Sequence, residues 1–188
     1  LRVARAAELA GDWQTAEQLL AGVTADPQNF GEGTIQGECL RELMLCRIHL
    51  GDYEGAMESA AAASEFYASR EDHQVAGQTM SSLGGLLRAA GRPELAGDAF
   101  AEALTSYTRV GDRAAMASIH LSLGIISDML GELEQAVLHF DEALALFRRL
   151  GDEESVAQCY RNKGFAFMRL GQYEQAAAAS QQALFIYN

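Results

Sequence analysis

His49, His73, His120 and His139 are the side chains of this 188-residue sequence best suited to proton transfer or metal ligation, and Cys39, Cys46 and Cys159 are its candidate nucleophiles. None of the four histidines has a second His, Cys or carboxylate at metal-ligand spacing with a matching partner elsewhere, so a metal centre is not expected. Cys39 and Cys46 stand seven apart on one predicted helix, too far to bridge, and the odd cysteine count comes without secretory marks. All three therefore read as small core hydrophobes. Cys159 and His120 can be drawn as nucleophile and base on neighbouring helices, but nothing orients the pair or supplies an oxyanion site. His120 reads instead as a packed interhelical histidine. Gly84-Gly85 follows no strand and so cradles no phosphate, and Glu132, Glu134, Asp141 and Glu142 read as one solvated helix face. The expectation is a chain with no catalytic residue, no cofactor and no metal.

Composition narrows the partners. The net charge is −12, and binding a phosphate backbone requires a basic face, so nucleic acid is excluded as a direct ligand. No apolar run is long enough to span a bilayer and no signal-peptide order opens the chain, which predicts a cytoplasmic protein with no membrane contact. Thirteen arginines beside one lysine, Lys163, with heavy alanine use, point to a GC-rich bacterial source.

The elements that must position any site follow from glycine. Gly11, Gly51, Gly91, Gly131 and Gly171 recur every forty residues, with Gly111 and Gly151 at the half-interval. A period of that length marks stacked supersecondary units, none of which buries its apolar face alone. The units open GDWQTA (11–16), GDYEGA (51–56), GRPELA (91–96), GELEQA (131–136) and GQYEQA (171–176). Ala16, Ala56, Ala96, Ala136 and Ala176 thus share one register, where a second helix would press on the first. Gly84, Gly124 and Gly164 lie seven residues before the unit glycine inside helical patterns, and a mid-helix glycine costs about 1 kcal/mol against alanine. Close helix approach accounts for them. Nine helical segments of fifteen to eighteen residues are expected, the first truncated, with glycine ending one helix and Asp12, Asp52, Asp112 or Asp152 capping the next. Pro93 falls just inside a helix start, and Pro27 in the one long loop, ADPQNFGEG.

With Leu83-Gly84, Leu123-Gly124 and Gly164, then the unit glycines, then Ala96-x3-Phe100 and Ala136-x3-Phe140, and Ala103, Ala143 and Ala183 beyond, the chain resembles the tetratricopeptide repeat. The forty-residue unit is similar to the long-helix subclass seen in kinesin light chains, Leu-Gly-Asn adaptors and maltose-activator-type regulators. The segment 111–136 is the nearest match and 1–50 the weakest, with Met44 in the internal glycine slot. The resemblance implies an all-α, right-handed superhelix of about 4.5 units, roughly 1–30, 31–70, 71–110, 111–150 and 151–188, in a single domain.

It also implies which residues face a partner. In the family the first helix of each pair lines the concave face, which maps onto Glu38, Arg41, Leu45, Ile48 and His49; Gln78, Ser81, Gly85, Arg88 and Ala89; Ser118, Leu121, Ile125, Asp128 and Met129; and Gln158, Arg161, Phe165, Met168 and Arg169. Four arginines, Arg41, Arg88, Arg161 and Arg169, then stand beside an apolar strip of Leu121, Ile125, Met129, Phe165 and Met168. Exposed apolar area rimmed by charge marks a binding site; the same strip is also what an inter-repeat core or a capping helix would cover. Family members that clamp a C-terminal carboxylate use asparagine and lysine in the groove, where this chain has Gly85, Ile125 and Phe165. The implied partner is a protein or peptide with acidic residues flanking an apolar anchor.

The chain opens at Leu1 and stops at Asn188 inside predicted helices, without the polar caps that solenoids require. That predicts a piece of a longer protein, or ends that are covered, possible self-association included. Two roles follow: a non-catalytic binding module, or the sensory domain of a bacterial regulator joined to a DNA-binding or ATPase domain.

Overall fold

The structure is a computed structural model that describes residues 2–25 and 34–187, apart from the side chains of Arg2, Val3, Ala6, Glu8 and Tyr187. Leu1, Asn188 and the loop containing Pro27 lie outside the described residues. Among the described residues ten α-helices follow one another: α1 (Arg2–Leu9), α2 (Trp13–Thr24), α3 (Ile35–Leu50), α4 (Tyr53–Ala68), α5 (His73–Ala89), α6 (Pro93–Val110), α7 (Arg113–Leu130), α8 (Leu133–Leu150), α9 (Glu153–Arg169) and α10 (Tyr173–Tyr187). The count is one more than the nine expected, because Gly11 separates a short α1 from α2. No strand occurs among the described residues, and the molecule is an all-α superhelix of helical repeats.

The turns form as glycine and aspartate dictate. Gly111, at φ 70°, occupies the left-handed region that a side chain resists, and Asp112 N–H reaches back to the Tyr107 carbonyl at 3.1 Å. Asp112 then caps α7, its carboxylate accepting from Ala115 N–H at 2.9 Å. Asp12, Asp52 and Asp152 do the same for α2, α4 and α9. Asp72 caps α5 as well, although Glu71 before it, at φ 62°, stands where other units have glycine.

Helices pack pairwise, α1 on α2 and so on to α9 on α10, and each second helix lies against the first helix of the next pair. The alanine register is the contact: Ala16, Ala56, Ala96 and Ala136 are fully buried, and Ala176 is half-buried. The mid-helix glycines make room for rings of the paired helix. A Cβ on Gly84 would stand 2.9 Å from the Phe100 ring, and one on Gly124 would stand 2.5 Å from Phe140. Gly37 and Gly77 play the same part for Tyr67 and Tyr107. One apolar cluster runs from Met44 to Ile126 and a second from Ala117 to Ala166, with smaller ones around Leu20 and around Phe66 and Tyr67.

Candidate concave binding face

The first helices of successive pairs lie side by side, α3 touching α5 and α7 touching α9. They carry every residue that the repeat mapping assigned to the concave face, but the structure divides those residues into three groups.

One group belongs to the core. Leu121 is buried, 9% exposed, within the cluster around Phe140 and Phe147, so it is a packing residue and not an exposed anchor. Ile125 is half-buried against the same cluster. Leu45 and Ile48 pack likewise on the cluster around Met80 and Leu83. Position on a first helix placed them on the groove; their burial by the following unit removes them.

A second group is engaged internally. His49 is exposed but its ring stacks on Trp13 of α2, with centroids 3.9 Å apart and planes 11° apart. Arg41 lies beside the Tyr67 hydroxyl and lines a cavity of about 380 Å³ with Arg5, Glu38, Glu42, Met44, Leu45 and Ser82. Ser81 lies beside the Tyr107 hydroxyl. Arg169 ties α9 to α7: its Nη1 lies 2.8 Å from Asp128 Oδ2 and donates to the Asp128 carbonyl at 2.7 Å. Asp128 Oδ2 is thereby paired while its Oδ1 is buried without a hydrogen-bond partner among the described residues, and Arg169 is not an open cation.

The third group is open. Gln78, Arg88 and Arg161 are exposed, and neither arginine makes an ion pair among the described residues. Met129, Phe165 and Met168 are 47%, 54% and 50% exposed, and Gln158 is half-buried. Arg161, Phe165 and Met168 meet Tyr173, Ala177 and Ser180 of α10 around a cavity of about 350 Å³. The open apolar area is therefore gathered between α9 and α10, with Met129 apart, and does not run as one strip.

The side chains suited to chemistry fall elsewhere. Cys39, Cys46 and Cys159 are buried free thiols; burial, with Asp152 adding to it, pushes the Cys159 thiol up to about 12. His120 of α7 meets His139 of α8, their Nδ1 atoms 3.3 Å apart, a pairing that spacing did not disclose because it lies across two helices. Asp141 is also more than a solvated carboxylate, since it pairs with Lys163 of α9. The Tyr67 and Tyr107 contacts had a legible signal: Gly37 and Gly77 each precede a tyrosine by thirty residues, and the pattern recurs after forty. No three His, Cys, Asp or Glu side chains converge in a metal-binding arrangement among the described residues, and no described helix is long and apolar enough to cross a membrane.

The tetratricopeptide repeat model matches residues 75–149 and 115–188, together more than half of the chain. No curated protein matches it. Solved structures share the fold at low identity. BtubC (BKLC) from P. vanneervenii is 20% identical with TM-score 0.69, covering 98% of this chain and 76% of its own. A putative kinesin light chain from Podosopora anserina with nearly identical TPR-like repeats is 17% identical with TM-score 0.67, covering 99% and 92%. A Rap protein complexed with Competence and Sporulation Factor is 16% identical with TM-score 0.61, covering 97% of this chain and 51% of its own. Repeat glycines, alanine register, paired helices and family match agree, and the chain belongs to the tetratricopeptide repeat family.

Proposed function

We propose that this chain is a single-domain, non-catalytic scaffold of the cytoplasm that binds a protein or peptide on its concave side. The observation that carries this reading is the open group: in a protein of net charge −12, Arg88 and Arg161 are exposed with no ion pair among the described residues, and Arg161 borders the cavity that holds Phe165 and Met168. A partner with acidic residues around one apolar anchor complements that surface, with charge governing encounter and the anchor governing residence. A second reading, a sensory domain that receives a peptide signal, is favoured by the likeness to a Rap protein complexed with Competence and Sporulation Factor. Self-association through α10 is a third, favoured by its exposed Tyr173, Leu184 and Phe185.

Peptide display against the immobilised protein tests the first reading. Selected sequences should be enriched in Asp and Glu around a Leu, Phe or Trp. Arg88→Glu with Arg161→Glu should slow association, more so at low salt, and Phe165→Ala should speed dissociation. Arg169 is left unchanged because it holds α9 to α7. Equal binding by both folded variants would remove the concave side as the site.

A further inference from the structure

We infer that His120 and His139 form a two-histidine site for a borderline divalent cation such as Zn²⁺, Ni²⁺ or Cu²⁺, clamping α7 to α8. The two Nδ1 atoms face each other at 3.3 Å. Imidazole nitrogens bound at 2.0–2.1 Å to one tetrahedral ion stand about 3.3 Å apart, so the pair is already at ligand spacing. The rings meet head-on, with centroids 5.6 Å apart, so each lone pair points along the line between the two nitrogens, and seating one tetrahedral ion asks each ring to pivot by roughly 35°.

The surroundings favour neutral, oriented ligands. Ligation through Nδ1 leaves the His139 proton on Nε2, 3.4 Å from the Gln135 side-chain amide, which accepts it once that amide is turned to present its oxygen. Burial holds both imidazoles below their ordinary range, and His120 adds to this at His139; Glu142, one turn along α8 from His139, opposes it at both rings. Near neutral pH the rings are therefore deprotonated and available, and Glu142 adds compensating negative charge. Two imidazoles select Zn²⁺, Ni²⁺ or Cu²⁺ over Mg²⁺, which prefers oxygen. With no third protein ligand among the described residues, the remaining coordination positions go to water or to a donor from a bound partner.

Because folding brings the two histidines together, a cation that binds them stabilises the folded chain by mass action. Protein stripped with a chelator and titrated with ZnCl₂, NiCl₂ or CuCl₂ near neutral pH should bind saturably by calorimetry and melt several degrees higher, with MgCl₂ inert. Lowering the pH should abolish the shift as protons compete for both rings. His120→Gln and His139→Gln should each lose it while retaining helical circular dichroism, and His73→Gln should keep it. If either variant fails to fold, Cu²⁺ electron paramagnetic resonance on the unaltered protein replaces it, with two nitrogen couplings expected. No saturable binding, equal binding after both substitutions, or fewer than two nitrogen couplings would overturn the site. None of these outcomes bears on the concave face, which uses other residues.

Discussion

Gly84 and Gly85 are neighbours in α5, yet a methyl group added to each meets opposite surroundings. At Gly84 it would run into the Phe100 ring at 2.9 Å, whereas at Gly85 it finds nothing within 4 Å. Helix propensity favours alanine at both by about 1 kcal/mol, and overpacking costs about 1–3 kcal/mol only at the first. Gly85→Ala should therefore raise the melting midpoint and Gly84→Ala lower it, with Gly124→Ala lower still. Gly164→Ala should be neutral or stabilising, because the nearest obstacle is the rotatable Ser180 hydroxyl at 3.2 Å. Thermal melts rank the four, and a Gly84→Ala protein that gains stability would show that the aromatic contact does not constrain this position. Glu71 supplies the complementary case. It holds φ 62° in the half-interval slot filled elsewhere by Gly111 and Gly151, and the left-handed region costs a side chain about 1–2 kcal/mol. Glycine's greater unfolded-state freedom offsets part of this, so Glu71→Gly should stabilise by about 1 kcal/mol or less. An unchanged or lower midpoint would mean that the turn is not strained. Both expectations were half-visible in the sequence: the forty-residue register shows which glycines recur, but which ring fills the space beside each needs the coordinates.

At the scale of the helix, the caps make a statement about pH. The Asp12 and Asp152 carboxyls are held below the ordinary range by hydrogen bonds from Thr15 and Ser155, and Asp112 by the Ala115 N–H and then the Gln74 amide. A carboxyl depressed in the folded state contributes stability that is fully present above its ordinary value and lost as pH falls through the folded one. Asparagine caps a helix about as well but does not titrate. Replacing Asp12, Asp112 and Asp152 together by Asn should leave the midpoint at neutral pH nearly unchanged and flatten its decline as pH falls below about 5. A decline as steep as the parent's would assign acid sensitivity to other carboxylates. These caps were legible because Gly-Asp is a local signal. The links between helices were not: Arg169 reaches Asp128 across 41 residues, and Arg47 gathers Glu17, the Gly55 carbonyl at 2.8 Å and Ser59 at 2.9 Å from two other helices. Such pairs follow from the rotation of one unit on the next, which no single unit encodes. The concave face suffered for the same reason, since mapping by slot could not separate Leu121, buried by α8 and α9, from Phe165.

Across the molecule, stability in a repeat stack is the sum of each unit and its interfaces with neighbours, so one substitution at equivalent positions reports how each unit is covered. Ala96 and Ala136 are fully enclosed; Ala176, in the same slot, borders the cavity of about 350 Å³ between α9 and α10. The same contrast holds further along α10: Leu184 is 61% exposed, whereas Leu144, forty residues earlier, is 4% exposed. Leucine at Ala96 or Ala136 should force two helices apart and cost about 1–3 kcal/mol or more, which lowers the midpoint by roughly 2–4 °C for each kcal/mol in a chain of this length. Leucine at Ala176 has open volume to enter and should cost less than about 1 kcal/mol. Hydrogen exchange should show the same gradient, with strongest protection in α5 to α8 and faster opening in α10, because local opening is easiest where few apolar contacts must break. If Ala176→Leu is as damaging as Ala136→Leu, or if α10 exchanges as slowly as α7, then α10 is held by interactions beyond its packing on α9, and additive repeat energetics do not describe this chain.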